Sequence, residues 1–258
     1  MRLYVLPHQD DEFALLKSIS DDVLADREFA LLYLTDGAYG GSVSDIRNRE
    51  SQTVLESVGV SAVQVHFLGL DYRLQDGFLH SKLNLAWQAI LAFTEAQSGI
   101  DSVYMPAWEG GHQDHDAAHI LGLCIANKYA CLAQSRQVAL YHGEGLPWVF
   151  YKVLSPLVLN GKIINTRIPW AQRLKFLRLF FCYRSQFKTW LGLYPFVFID
   201  MVFHGMESIQ PVSFKRIYQS PHHGKLLYES RGHCLEQDFR AHAETFLCEN
   251  HLLVDEDI

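Results

Sequence analysis

The sequence predicts an α/β fold, a Rossmann-like three-layer sandwich with a mainly parallel sheet between two layers of helices. Short apolar runs alternate with helix-length segments over the first 145 residues. Strands separated by helices pair in parallel through right-handed crossovers, which place helices on both faces of the sheet. The chain has 258 residues, of which 49% are hydrophobic and 20% charged, and this composition is typical of a globular protein.

Five strands and four helices are predicted in the first part of the chain. The strands are the apolar runs at residues 3–6, 29–34, 63–68, 103–105 and 137–141. The helices between them cover residues 13–19, 44–58, 79–93 and 114–130. Ser44 is the expected N-cap of the second helix, and Gly59 lies just past the end of that helix.

The composition changes after the predicted α/β core, which covers residues 1–145. Residues 146–258 are interpreted as a helical and aromatic C-terminal elaboration of the same domain. Residues 145–199 contain eight basic residues and no acidic residue, whereas the rest of the chain has 14 basic and 29 acidic residues. Residues 168–188 are expected to form a helix.

The basic, aromatic region 148–190 has three interpretations. Its aromatic side chains fill a core with Lys and Arg on the outside, or it forms a lip that receives the phosphate of a substrate. In the third interpretation it lies on an anionic membrane or contacts a lipid-linked substrate, because Trp, Phe and basic residues suit that interface.

Charge and cysteine content exclude several classes of protein. The net charge of -7 disfavours a nucleic-acid partner. Five cysteines without a C-x-x-C pair indicate free thiols in a reducing compartment rather than a disulfide framework. The first apolar run is too short for a signal-peptide core, and no apolar run approaches the length of a spanning helix. We therefore expect a cytoplasmic protein, with region 148–190 as the place for any peripheral membrane contact.

Two clusters of chemically active residues follow predicted strands. Pro7-His8-Gln9-Asp10-Asp11-Glu12 follows the first strand, and Gly110-Gly111-His112-Gln113-Asp114-His115 follows the fourth. Ligands bind at the carboxyl ends of the strands in open α/β sheets, so we expect these two loops to meet at a switch point. Two His and one Asp with an open position are typical of a catalytic zinc site, and the same ligands also suit Fe²⁺, Mn²⁺ or Co²⁺.

A structural interpretation of both clusters stays open at this point. Acidic residues after a strand commonly cap the next helix. His115 and His119 have the spacing of a metal-binding pair on one helix face, but His119 is equally explained as a residue that packs behind a single ligand.

The two clusters resemble the paired motifs of the PIG-L (LmbE-like) zinc-dependent N-deacetylases of N-acetylglucosaminyl compounds. Further resemblances are Leu34-Thr35-Asp36-Gly37, Arg47-x-x-Glu50, Phe67-Leu68-Gly69-Leu70-Asp71 and Tyr183-Arg184-Ser185-Gln186. The family has proline where this chain has Gln9 and Gln113, and this difference affects the expected geometry of the two loops.

The resemblance implies a role for each residue of the two motifs. His8, Asp11 and His115 hold the metal, and Asp10 is the general base. A protonated His112 faces the developing oxyanion and Asp114 orients it, although Asp114 is alternatively a helix cap. The implied reaction removes the N-acetyl group from an N-acetylglucosamine-type sugar conjugate. The alternatives are a metal-dependent amidase or esterase for another acyl substrate, and a non-catalytic protein that binds glycans or lipid-linked sugars.

Seven further residues are candidates for substrate binding. Asp36 and Gly37 follow the second strand and are expected to border the pocket. Arg47, Asp71 and Arg73 are candidates for sugar hydroxyls or a phosphate, with an exposed surface charge as the alternative for each arginine. Trp108 and Glu109 precede the second motif, where a ring that stacks on a sugar and a polar contact would be useful.

Overall fold

The computed structural model describes residues 1–252, apart from the side chain of Thr189. Its strands are β1 (Arg2–Leu6), β2 (Phe29–Tyr33), β3 (Val65–His66), β4 (Ser102–Pro106), β5 (Arg136–Val138), β6 (Tyr141–His142), β7 (Lys152–Val153), β8 (Ile164–Arg167) and β9 (Met206–Pro211). Seven of them form one sheet in the order β3-β2-β1-β4-β5-β9-β8, and β6 pairs with β7.

Helices cover both faces of this sheet. They are α1 (Leu16–Leu24), α2 (Ser44–Ser57), α3 (Leu68–Asp71), α4 (Leu83–Thr94), α5 (Gln113–Lys128), α6 (Trp170–Leu179), α7 (Phe187–Phe203), α8 (Phe214–Ile217), α9 (Leu227–Ser230) and α10 (Glu236–Glu249). The first five strands of the sheet are parallel, and β9 and β8 are antiparallel additions from the C-terminal part of the chain. The predicted α/β class is confirmed.

The central strands are apolar on both faces because both faces are covered. Leu3 and Val5 of β1 belong to a core cluster with residues of α4, α5 and α10. Tyr4 and Leu6 point to the opposite face and belong to a second cluster with residues of α1 and α2. Continuous apolar runs of this kind are typical of parallel strands buried between two helical layers.

The strand order brings the two motif loops together. β1 pairs with β2 on one side and with β4 on the other, and both pairings are parallel. The chain therefore reverses its direction of winding between β1 and β4, and the carboxyl ends of these strands lie side by side at the switch point. This arrangement confirms the predicted meeting of the two loops.

Several predicted element boundaries differ from the structure. α2 begins at Ser44 itself, so Val43 occupies the N-cap position and makes no side-chain cap. The third strand is only Val65–His66, because Ala62–Gln64 forms a 3-10 turn and α3 begins at Leu68. The predicted helix 79–93 begins as a separate 3-10 turn, Leu79–Ser81, followed by α4.

The fifth strand is also shorter than predicted. β5 ends at Val138. Leu140 and Tyr141 belong to the predicted strand. Their backbone N–H groups donate to the Glu109 carboxylate instead of to a neighbouring strand. The chain therefore leaves the sheet before Tyr141 and continues into β6.

The predicted helix 168–188 is interrupted. α6 ends at Leu179, and two 3-10 turns precede α7. Tyr183 between these turns has a non-helical backbone, and its buried hydroxyl donates to Glu12 at 2.8 Å. This contact with the first motif explains why one continuous helix does not form.

The aromatic residues of region 148–190 divide into two groups. Phe176, Phe180, Tyr183 and Trp190 form a core cluster with Phe13, Leu16 and Val54, so the structural interpretation holds for them. The exposed aromatic side chains of the region are Trp148, Phe150, Trp170, Phe181 and Phe187. Within residues 1–252, no helix has both the length and the apolar character needed to cross a bilayer. All five cysteines lie in this part of the chain, and none forms a disulfide.

Candidate active site

Three imidazoles from the two motif loops, those of His8, His112 and His115, lie close together at the switch point. The ring centroids of His8 and His112 are 4.8 Å apart, and those of His8 and His115 are 5.2 Å apart. Gly111 allows the second loop to fold this closely, because a Cβ atom at this position would lie 1.8 Å from the carbonyl oxygen of Tyr141. The loops therefore form one site from segments that are about a hundred residues apart in sequence.

His8, Asp11 and His115 form a buried set of donor atoms that fits a tetrahedral metal ion. Nδ1 of His8 lies 3.3 Å from Nε2 of His115, and the Asp11 carboxylate lies 3.3 Å from the first nitrogen and 3.2 Å from the second. Ligand atoms that share one tetrahedral zinc are about 3.3 Å apart, given bonds of about 2.0–2.1 Å. Three such donors leave the fourth position for a reactant. The donor chemistry and spacing therefore fit the implied metal.

The second nitrogen of His8 faces two carboxylates. Its Nε2 lies 3.1 Å from Asp76 and 3.3 Å from Asp114. A carboxylate that accepts a proton from Nε2 leaves Nδ1 free as a metal ligand, which is the usual arrangement behind a metal-binding histidine. Burial opposes the charged imidazolium, but Asp76, Asp11 and Asp114 together hold the pKa of His8 well above its usual value. Metal binding at His8 would therefore compete with a proton.

A second possible ligand set shares His8. Nε2 of His8, Asp76 and His112 also lie close enough to hold an ion. Asp76 is already bound to Arg47 at 3.3 Å, and Nδ1 of His112 accepts the backbone N–H of Asp114 at 3.1 Å. Among residues 1–252, the two imidazole donors of the first set, Nδ1 of His8 and Nε2 of His115, contact only other members of that set. It is therefore the better ligand set.

Asp10 lines the cavity beside the ligand set without belonging to it. Its backbone has φ 123°, a conformation that costs a residue with a side chain about 1–3 kcal/mol. The Glu12 carboxylate stabilises this conformation by accepting the N–H of Asp10 at 2.8 Å. The two adjacent carboxylates consequently face different groups: that of Asp10 faces Arg47, and that of Asp11 faces the ligand imidazoles. Burial, which outweighs the opposing effect of Arg47, raises the pKa of Asp10 to about 8.

Arg47 holds the cavity wall together. Its buried guanidinium donates to the carbonyl oxygens of Gly37 at 2.5 Å and Gln9 at 2.7 Å. It also lies 3.3 Å from Asp10 and 3.3 Å from Asp76. The alternative of an exposed surface charge is therefore wrong for Arg47, because α2 directs this side chain inward.

His112 and Asp114 differ from the expectation of a charged, carboxylate-oriented imidazole. Nδ1 of His112 accepts a backbone hydrogen bond, so the ring is neutral and carries its proton on Nε2. Burial lowers the pKa of His112 to about 3. The Asp114 carboxylate accepts from the N–H groups of Gly77 and Leu79 and faces His8. Asp114 therefore orients His8 and the 77–79 loop, and the N-cap of α5 is His112 rather than Asp114.

Gln9 and Gln113 replace the two family prolines with buried anchors. The Gln9 amide donates to Asn48 at 2.7 Å, which joins the first loop to α2. The Gln113 amide donates to the carbonyl of Gly77 at 2.9 Å, which joins the second loop to the segment that carries Asp76. The side chains thus supply connections that restrain both loops where the proline ring is missing.

The site is the polar end of a cavity of about 360 Å³. Gly37, Tyr39 and Arg47 line it near the motif loops. The opposite wall is apolar and is contributed mainly by the C-terminal part of the chain, with Val153, Leu154, Trp190, Leu193 and Val197. A cavity of this kind accommodates a ligand with a polar end and an apolar portion.

Five of the predicted substrate-binding residues do not line this cavity. Asp36 accepts the N–H groups of Ala38 and Asp76 and so shapes the adjacent loop. Asp71 and Arg73 are exposed elsewhere. The expected stacking role does not fit Trp108, because its ring is buried against Phe239 and its N–H donates to the carbonyl of Gln219. Glu109 is fully buried and binds the backbone after β5.

The buried carboxyl of Glu109 should make the stability of the folded protein depend on pH. Burial raises the pKa of its carboxyl from 4.5 to about 8, despite two backbone hydrogen bonds that favour the charged form. Between these values the unfolded chain releases a proton that the folded protein retains, so the free energy of unfolding falls as the pH rises from about 5 to 8.

The Glu109→Gln variant should show a smaller fall over this range, by more than about 1 kcal/mol, because its amide stays neutral and still accepts both bonds. Denaturant unfolding at pH 5 and pH 8.5 measures the difference. The exposed Glu95→Gln variant is the control, and an identical pH slope for the wild type and Glu109→Gln contradicts the prediction.

Some residues of the site gave little signal in the sequence. Asp76 follows no strand, so its place in the site carries no strand-end signal. Arg231 and His233 line the cavity from the turn after α9, which is remote from both motifs. His119 packs behind the site, where its Nδ1 lies 2.9 Å from the carbonyl of Pro106, and it belongs to neither ligand set.

Residues 3–126 match the sequence model of the family described as PIG-L: GlcNAc-PI de-N-acetylase. This match confirms the resemblance to the PIG-L family that the two motifs indicate. The match runs from β1 to the last turn of α5, so it contains both motif loops and all the residues of both ligand sets. No curated protein sequence matches the chain.

Solved deacetylase structures share the fold of this protein. The A40926 pseudoaglycone deacetylase Dbv21 is 17% identical and has a TM-score of 0.61, with 82% of this chain and 96% of that chain covered. A deacetylase from the teicoplanin biosynthesis pathway is 16% identical with a TM-score of 0.62, covering 83% and 98%. N,N′-diacetylchitobiose deacetylase from Pyrococcus horikoshii is 16% identical with a TM-score of 0.54, covering 84% and 85%. At these identities the likeness establishes the fold.

Proposed function

We propose that this protein is a metal-dependent N-deacetylase that hydrolyses the N-acetyl group of an N-acetylglucosamine-type sugar conjugate. The observation that carries the proposal is the set of His8, Asp11 and His115, whose donor spacing suits a zinc ion, at the polar end of a cavity. Asp10 and His112 line the same cavity. The PIG-L match and the named deacetylases that share the fold support the choice of substrate class.

The residues of this chain divide the work of amide hydrolysis. His8, Asp11 and His115 would hold a divalent ion, which would supply an activated water and polarise the acetyl carbonyl. Asp10 takes a proton from the attacking water and returns it to the departing amine. Nε2–H of the neutral His112 donates to the carbonyl oxygen as that oxygen gains negative charge. Asp76 offers an acceptor for a hydroxyl group of the sugar, and Arg47 holds Asp10 and Asp76 in place.

Release of acetate tests the proposal. The purified protein is freed of metal with a chelator, reloaded with Zn²⁺, Fe²⁺, Mn²⁺ or Co²⁺, and incubated with UDP-linked and lipid-linked N-acetylglucosamine. We expect acetate and free amine in equal amounts, only after metal is restored. Parallel assays use other N-acyl amides and acyl esters.

The other outcomes separate the rival functions. Faster turnover of a different amide or an ester indicates a metal hydrolase with another acyl substrate. Binding of sugar conjugates without turnover under any of the four metals indicates a non-catalytic binding protein. Either result contradicts the proposed deacetylase.

A further inference from the structure

The C-terminal part of the protein exposes an unusual amount of aromatic surface. Among residues 1–252, every exposed Phe or Trp except Phe78 lies between Trp148 and Phe203. Contiguous apolar surface of this kind marks an interaction site, because single scattered apolar residues are the norm elsewhere on a globular protein.

Helix α7 is apolar on its inner and its outer side. Trp190, Val197 and Met201 are buried in the core cluster. Phe187, Leu191 and Phe203 are on the outer side, with 65%, 66% and 76% of their surface exposed. A helix that is apolar all round requires an apolar environment on both sides, and this protein supplies only the inner one.

Neighbouring segments extend the outer side of α7 into a wider surface. Tyr151 contacts Phe196 with ring centroids 6.3 Å apart, which places the exposed segment 148–150 beside the helix. On another side of α7, Phe181 contacts Tyr194 at 5.4 Å. We call this surface the aromatic face, and its exposed members are Trp148, Phe150, Phe181, Phe187, Leu191, Phe196, Phe198, Ile199 and Phe203.

Basic residues accompany the aromatic face. Arg184 and Lys188 are exposed at the start of α7, and neither has a carboxylate within ion-pair distance among residues 1–252. The acidic residue of α7 is Asp200, which is partly covered and bound to His204. The local excess of positive charge contrasts with the acidic remainder of the chain, and it complements an anionic surface. A symmetric contact with a second copy would bring these like charges together.

We propose that the aromatic face docks the protein on the surface of an anionic lipid membrane, with α7 lying in the plane of the interface. Aromatic and aliphatic side chains of the outer side enter the headgroup region, and the basic residues bind lipid phosphates. The inner side of α7 lines the cavity through Trp190, Leu193 and Val197. Docking therefore keeps the cavity beside the lipid surface.

Vesicle co-sedimentation tests this docking without any activity measurement. The wild type should bind vesicles of phosphatidylcholine mixed with phosphatidylglycerol more tightly than vesicles of phosphatidylcholine alone, and salt should weaken the binding. The triple variant Phe187→Gln, Leu191→Gln, Phe203→Gln should lose at least about tenfold in binding to the anionic vesicles. The double variant Arg184→Gln, Lys188→Gln should lose most of the preference for the anionic lipid.

A matched control substitutes exposed apolar residues that do not belong to the aromatic face. Leu24 and Val63 are 77% and 80% exposed, and the variant Leu24→Gln, Val63→Gln should bind vesicles like the wild type. Circular dichroism and acetate release from a soluble conjugate should be unchanged in the triple variant, because its three side chains lie outside the cavity lining. If the triple variant does not fold, the double variant Arg184→Gln, Lys188→Gln and the salt dependence decide whether the protein docks on the anionic vesicles.

Three results would overturn the docking. One is a wild type that does not bind anionic vesicles. The second is a control variant that loses as much binding as the triple variant. The third is a wild-type dimer, detected by analytical ultracentrifugation, that the triple variant converts to a monomer while vesicle binding is absent, since the face would then be an interface between two copies.

Discussion

The His115→Ala variant is expected to lose both bound metal and deacetylase activity. Nε2 of His115 lies 3.3 Å from Nδ1 of His8 and 3.2 Å from Asp11, so its removal leaves two donors of a three-donor set. Changes behind the ligands of a metal site already weaken binding by about 10–100-fold, so loss of a ligand should exceed 100-fold. Metal content per chain after dialysis, together with acetate release, measures the two losses.

His119 offers a matched control for this prediction. It is buried one turn further along α5 and contacts the carbonyl of Pro106 rather than the ligand set. The His119→Ala variant should be less stable than the wild type but should keep its metal. If His115→Ala instead keeps its metal and His112→Ala loses it, the ion is held by His8, Asp76 and His112, and our ligand assignment is wrong.

The Asp10→Asn variant is expected to retain metal and lose turnover. Its carboxylate lines the cavity without belonging to either ligand set, and asparagine has nearly the same size but cannot accept the proton of the attacking water. Loss of a general base typically lowers kcat by about 10²–10⁴-fold. Acetate release at saturating substrate measures kcat, and metal analysis shows that the site is still loaded.

A control for Asp10 lies in the neighbouring loop. One oxygen of Asp36 accepts the N–H groups of both Ala38 and Asp76, and the amide oxygen of asparagine can do the same. The Asp36→Asn variant should therefore keep both metal and activity. Full activity in Asp10→Asn would refute the assignment of Asp10 as the base.

The candidate ligands could be located in the sequence because the signal is local in each loop, and the resemblance to the PIG-L family implied which of them would hold a metal. His8 and Asp11 follow one apolar strand and His115 follows another, and ligands gather at the carboxyl ends of parallel strands. The sequence did not show how the side chains that contact the ligands from behind are arranged. The Asp114 carboxylate turns to His8 because Gly77 and Leu79 direct their N–H groups to it.

Residues in contact only through the fold were harder to identify. Asp76, Arg231 and His233 enter the cavity from turns without a motif. The position of Trp108 and Glu109 just before the second motif predicts substrate contacts, yet both residues are buried in the structural core. A residue that is next to a motif in sequence need not line the site, because its position along the chain does not fix the direction in which its side chain points.

The alternation of apolar strands and helices determined by itself the α/β class, and the two motif loops determined the chemistry of the proposed ligands. Both are properties of short segments, since periodicity and residue type are local. Tertiary structure alone decided which side of α7 is buried, why Tyr183 interrupts the predicted helix, and how Gln9 and Gln113 anchor the loops. The physical reason is that burial and hydrogen-bond partners depend on segments distant in sequence, which only the packed fold brings together.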